Sequence, residues 1–128
     1  MIGRFGRFGL VGFVGALLQL ALVFLLTKYF EILSAAATFL AVELTILHNF
    51  VWHERFTWKH RGPKDARQCA LRLWRFHAGN GFVSLAGNTI LMYCLVERLK
   101  APILPAAIGA IVLCSLANFL IADRWVFR

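Results

Sequence analysis

Apolar and polar stretches alternate along the chain on a scale that matters. Four apolar runs cover residues 9–27, 34–52, 78–96 and 102–121. Each is close to the roughly 20 residues an α-helix needs to cross a hydrocarbon core of about 30 Å. Two short turns, Lys28–Leu33 and Glu97–Ala101, separate the runs within each pair, and one long polar segment, residues 53–75, separates the pairs. The pattern predicts an all-α membrane protein: four transmembrane helices arranged as two helical hairpins in one membrane domain, residues 1–128. The first run follows Arg4 and Arg7, but it is too long for a typical signal-peptide core and no small-x-small cleavage site follows it, so it is expected to be retained. Gln68–Phe76 is expected to lie as a short amphipathic helix at the membrane surface, with Leu71 and Trp74 inward.

The two hairpins repeat one another. Asn49–Trp58 returns as Asn118–Phe127: Asn49 falls on Asn118, Phe50 on Phe119, Glu54 on Asp123, Arg55 on Arg124, Phe56 on Trp125 and Trp58 on Phe127. The starts match as well, Arg7-Phe8 with Arg75-Phe76. The copies stand 68 residues apart at the starts and 69 at the exits, so one small gap relates halves 7–58 and 75–127. Both halves begin on the same side of the bilayer, which makes the repeat parallel. Each exit carries an amide within the membrane, then an acid–arginine pair and aromatics at the interface.

Composition sharpens this picture. The 128 residues are 60% hydrophobic, with a mean hydropathy of +0.71. A soluble domain of this size cannot hide that much apolar surface. The net charge of +8 gathers at the ends of apolar runs. It forms no basic stripe interleaved with stacking aromatics, so nucleic acid is not the partner. Eleven Lys and Arg side chains fall on the N-terminus, the basic loop 53–75 and the C-terminus; only Lys28, Arg98 and Lys100 fall on the two turns. This asymmetry places both termini in the cytoplasm.

Catalytic and metal chemistry find little support. Cys69, Cys94 and Cys114 have neither disulfide-framework nor zinc spacing. His48, His53, His60 and His77 are scattered, and His53 and His60 are expected in water. No nucleophile–base pair can be assembled, so no enzyme, metal or cofactor is expected. Gly3, Gly6, Gly9, Gly12 and Gly15 form a row that lets another helix approach closely. The row lies inside an apolar helix, not after a strand, and so is no nucleotide loop.

The polar side chains within the runs are the candidate site. Gln19 stands in the first run. Glu43 stands in the second, where a carboxylate costs about 2.5–3.5 kcal/mol on insertion scales and must face protein or water, or be protonated. Thr45, His48, Asn49 and Trp52 share a broad side of that helix. Asn80, Ser84 and Asn88 form a stripe at i, i+4, i+8, and Asn118 ends the fourth run. Glu43 aligns with Val112 and Asn88 with Leu20, so a pocket between the halves would be asymmetric. Such side chains serve either helix–helix hydrogen bonding or a polar path for a substrate. Arg55 and Arg124 serve either as interfacial anchors beside Glu54 and Asp123 or as phosphate-capturing forks.

Four spans, the opening Arg-Phe-x-x-x-Gly at Arg7–Gly12, and the doubled Asn-Phe…Arg-aromatic-x-aromatic exit resemble the GtrA-like family of small bacterial membrane proteins. The resemblance covers nearly the whole chain. It implies translocation of a polyprenyl-phosphate-linked sugar across the bacterial cytoplasmic (inner) membrane, for glycosylation of cell-surface polysaccharide or the cell wall. Asn49, Arg55, Asn118 and Arg124 are the positions that carry over. Gln19 sits where an acidic or amide residue is common in the family, and Glu43 matches no family motif. In this reading Arg55 and Arg124 hold the phosphate, while Asn49, Asn118, Gln19, Glu43, Asn80, Ser84 and Asn88 line a polar groove for the sugar. Four thin helices leave little room for a sugar, so a homodimer is expected. Two other readings remain: an adaptor whose basic loop holds a glycosyltransferase at membrane lipids, and a proton-coupled exporter of small cations. The small multidrug resistance exporters carry their acid in the first span, where this chain has Gln19.

Overall fold

A computed structural model describes residues 1–128, apart from the side chains of Ser34 and Ala35. The chain divides into two compact units, residues 1–62 and 63–128. Each is a helical hairpin.

In the first unit, α1 (Ile2–Lys28) packs against α2 (Ser34–Trp52). Ala37, Ala41 and Thr45 recur every fourth residue of α2 and are all buried. Small side chains at that spacing let two backbones approach closely, the main source of helix association in lipid. α2 does not stop at Trp52. It winds on through a π turn, His53–Thr57, and a short 3₁₀ turn, Lys59–Arg61.

In the second unit, α3 runs unbroken from Ala66 to Arg98, with π turns at Val83–Gly87 and Tyr93–Arg98. Asp65 caps its start: its carboxylate accepts from the Gln68 N–H at 2.7 Å, and the Gln68 side chain accepts from the Lys64 N–H at 2.7 Å. Two otherwise orphaned donors are thereby satisfied. α4 (Ile103–Ile121) returns, packing Ala106, Ala110 and Cys114 inward, and ends in a π turn at Ala122–Val126.

Three helices are long and apolar enough to cross a membrane among the described residues: Ile2–Lys28, Ala66–Arg98 and Ile103–Val126. Helix ends differ from the apolar runs. α1 begins in the charged stretch before residue 9, because Arg4 and Arg7 are good helix formers. The segment expected to form a separate surface helix is instead continuous with α3, so only Trp58 and residues 62–65 of the basic loop lie outside helical structure.

The one-residue gap between the halves has a physical location. A π turn closes i→i−5 and holds one residue more than an α turn. α1 is regular throughout, whereas α3 carries the π turn Val83–Gly87. Beyond it the separation is 69, so Asn88 falls on Gln19 and not on Leu20 as the ungapped alignment of the starts had it. Both hairpin turns close with an i→i−6 bond, Ile32 N–H to Leu26 O at 3.0 Å and Ala101 N–H to Leu95 O at 2.9 Å. Just before each donor sits a non-glycine residue in the left-handed region, Glu31 at φ 52° and Lys100 at φ 56°. Glycine is the usual occupant of that cap position. Glu31→Gly and Lys100→Gly are therefore each expected to stabilise their hairpin by about 0.5–1 kcal/mol, the left-handed cost outweighing the extra chain entropy. Thermal unfolding in detergent reads this directly, and a lowered midpoint in both would contradict it.

Candidate functional site: two helix exits and their amides

Each exit is built the same way within its own unit. In the first, the Trp58 N–H closes the π turn onto the His53 carbonyl at 2.9 Å. Phe8 of α1 stacks on the His53 ring at 4.7 Å and meets the Trp58 ring edge-on at 6.1 Å. The Arg7 guanidinium lies over the Phe56 ring, 5.3 Å from its centre, and donates to the Phe56 carbonyl at 3.4 Å. In the second, the Phe127 N–H bonds the Ala122 carbonyl at 2.9 Å, and Phe76 meets Phe127 at 6.0 Å. Arg75 lies over the Trp125 ring at 5.7 Å and donates to the Trp125 carbonyl at 3.4 Å. The Arg-Phe pair that opens each half thus clamps the aromatic residues that end it, by cation–π contact and hydrogen bonding together. The arginines were legible as a repeat, but their role as clamps was not.

Arg55 and Arg124 each precede a clamped residue and are exposed. That is what a phosphate-capturing side chain requires. One expectation fails in this region, and one arginine of the basic segment is buried. Arg72 is no solvated loop residue: it is 4% exposed, lies over Phe127 at 5.8 Å and donates to the Arg128 carbonyl at 3.3 Å. His53 is not in water. It is 2% exposed, with Nδ1 3.0 Å from Thr57 Oγ1. Phe8 and Trp58 cover it because the π turn rotates residue 53 towards α1.

Burial of His53, with His48 nearby adding to it, lowers its pKa from 6.5 to about 3. The unfolded chain therefore binds a proton here that the folded chain refuses. Stability is full above about pH 6.5 and falls as pH drops towards about 3. Within that window the loss approaches about 1.4 kcal/mol per pH unit. Melting midpoints measured against pH should show this slope, and His53→Leu should flatten it. An unchanged slope in the variant would assign it elsewhere.

The amides divide between the units. Asn49 lies directly on Gly15: a Cβ there would overlap the Asn49 carboxamide. Asn49 Oδ1 is 3.1 Å from His48 Nδ1. In the second unit the Asn118 amide donates to Ser84 Oγ at 3.2 Å, and Asn88 donates to the Ser84 carbonyl at 2.8 Å. Asn118 is 9% exposed, and its Oδ1 is buried with no hydrogen-bond partner among the described residues. Thr45 Oγ1 is in the same condition. Gln19, Glu43 and Asn80 are half-buried.

A groove opens on each hairpin beside its clamp. The first, about 250 Å³, is lined by Leu10, Val11, Val14, His48, Trp52 and Phe56. The second, about 370 Å³, includes Ala78, Gly79, Phe82, Ile121 and Trp125. By the repeat, the latter five are the counterparts of Leu10, Val11, Val14, Trp52 and Phe56. The same depression recurs at the same place.

Apolar helices of membrane-crossing length, with clamped exits and amides at helix seams, define a small helical membrane protein. The chain belongs to the GtrA/DPMS transmembrane-domain family, whose model matches residues 7–127. Those limits fall on the first clamp arginine and the last clamped aromatic. No curated protein matches the chain significantly.

Proposed function

We propose that the chain moves a polyprenyl-phosphate-linked sugar across the cytoplasmic membrane, with no enzymatic step of its own and no cofactor. Membership of the family supports a part in handling glycosyl-carrier lipids. The observation that carries the finer reading is the doubled exit: an exposed arginine, Arg55 or Arg124, held by a clamped neighbour about a turn and a half beyond an amide, the half-buried Asn49 or the buried Asn118. A guanidinium can grip phosphate oxygens in a fork at the cytoplasmic face. The amides offer hydrogen bonds to sugar hydroxyls at membrane depth, while the tail stays in lipid. α2 is taken as the fourth span, the hairpins as a parallel repeat with both termini cytoplasmic, and a homodimer as the source of a larger cavity. The path would include Gln19, Glu43, Asn80, Ser84 and Asn88. Flipping would run down the gradient set by consumption of product outside.

Binding of a polyprenyl phosphate to the full chain in nanodiscs tests this. Arg55→Ala and Arg124→Ala should each weaken binding by well over the roughly 1 kcal/mol of a rim charge. If neither variant binds differently, and wild type prefers the lipid no more than an anionic phospholipid, the arginines are anchors. The adaptor reading then leads. Its supporting observation is the exposed run Lys59, His60 and Arg61, a basic surface that could meet a glycosyltransferase.

A further inference from the structure

The two grooves are the strongest unassigned feature. We propose that each hairpin holds one anionic membrane phospholipid, an acyl chain lying in its groove and the phosphate on its clamp arginine, so that one chain binds two. The proposal does not rest on the translocation reading.

Three observations carry it. The grooves are equivalent under the repeat although their side chains differ, so the depression belongs to the backbone arrangement and not to one set of residues. In the second unit Gly79 makes the room: a Cβ there would stand 3.0 Å from Ile121 and 3.4 Å from Trp125. Most important, the aromatic ring that walls each groove is the one its arginine covers. Phe56 lines the first groove beneath Arg7, and Trp125 lines the second beneath Arg75. A chain in the groove therefore brings its phosphate to that guanidinium.

The arginines have capacity to spare. A guanidinium carries five N–H donors in a planar fork. Arg7 and Arg75 each place one hydrogen bond, on the carbonyl of the aromatic residue beneath. The donors that remain suit phosphate, and the positive charge selects an anionic headgroup over a zwitterionic one. An apolar slot capped by a cation at the interface has the shape and charge of a phospholipid site.

Native mass spectrometry of the full chain in mild detergent, with added phosphatidylglycerol, tests the proposal. Wild type should hold two lipids, and phosphatidylcholine should bind at least tenfold more weakly. Leu10→Trp fills the first groove and Ala78→Trp the second, both from exposed positions. Each should remove one bound lipid, and the pair should remove both, with melting midpoints close to wild type. Arg7→Gln and Arg75→Gln, which keep a donor for the clamped carbonyl, should each raise the Kd of one site about tenfold. A lipid count unchanged by the tryptophans would overturn the proposal. So would a shift from dimer to monomer in the filled variants at constant lipid count, which would make the grooves an interface between copies. Polyprenyl phosphate binding that responds to Arg55→Ala but not to Leu10→Trp leaves the two sites independent.

Discussion

Gly15→Ala is expected to destabilise the first hairpin by about 1–3 kcal/mol, the range for forcing a methyl into a packed site. In an exposed helix the same change would stabilise by up to about 1 kcal/mol, because glycine is a poor helix former. The sign reverses here because the space is taken. The new Cβ would overlap the Asn49 carboxamide, whose nearest nitrogen and carbon lie at 2.7 and 2.8 Å. Asn49 can yield only by turning its carboxamide away from Gly15, which breaks its contact with His48. Gly12→Ala is the control. It belongs to the same glycine row, one turn earlier, and a Cβ there meets nothing within 4 Å. Melting midpoints in detergent should therefore fall for Gly15→Ala and hold or rise for Gly12→Ala. Equal effects would mean that the row acts as a whole and that the Asn49 contact is incidental.

This contrast also shows what could be read in advance. The glycine row was visible as a period of three, and close approach was the right physical consequence. Which glycine would use it was not visible, because that depends on the rotation of α1 against α2. The exits were legible for a stronger reason. Asn49–Trp58 and Asn118–Phe127 align without a gap and share the amide, the acid–arginine pair and three aromatic positions, so one reading had to serve both. The π turns were hidden, since one extra residue in a helix leaves an apolar run apolar. Their effects were hidden with them: His53 turned inward, Arg72 drawn onto Phe127, and the one-residue gap lodged at Val83–Gly87. The small face Ala106, Ala110 and Cys114 stands at plain i, i+4, i+8 spacing in the sequence and is buried in the fold. Its equivalent on α2 was obscured by Glu43 and His48, which drew attention to polarity and away from the alanines.

Asn118→Leu should separate packing from transport. Asn118 makes one hydrogen bond, its amide to Ser84 Oγ at 3.2 Å, while its Oδ1 is buried without a partner. A helix–helix hydrogen bond in lipid averages about 0.6 kcal/mol. A buried carbonyl left unsatisfied costs about 1–3 kcal/mol. Leucine removes both, and the freed Ser84 hydroxyl can turn to a carbonyl of its own helix, as serine commonly does. The variant is expected to unfold no more easily than wild type, and by this balance slightly less easily. A residue kept only for packing would not be kept on those terms. If Asn118 meets the sugar, translocation of a polyprenyl-phosphate-linked sugar in proteoliposomes should fall at least tenfold while the melting midpoint holds. Asn49→Leu supplies the contrast, because the larger side chain must sit on Gly15 and should cost stability and transport together. If Asn118→Leu lost stability and transport in step, Asn118 would be a structural residue and the cargo path would lie elsewhere. If it lost neither, the amide would have no part in translocation, and the arginines would be left to carry that reading alone.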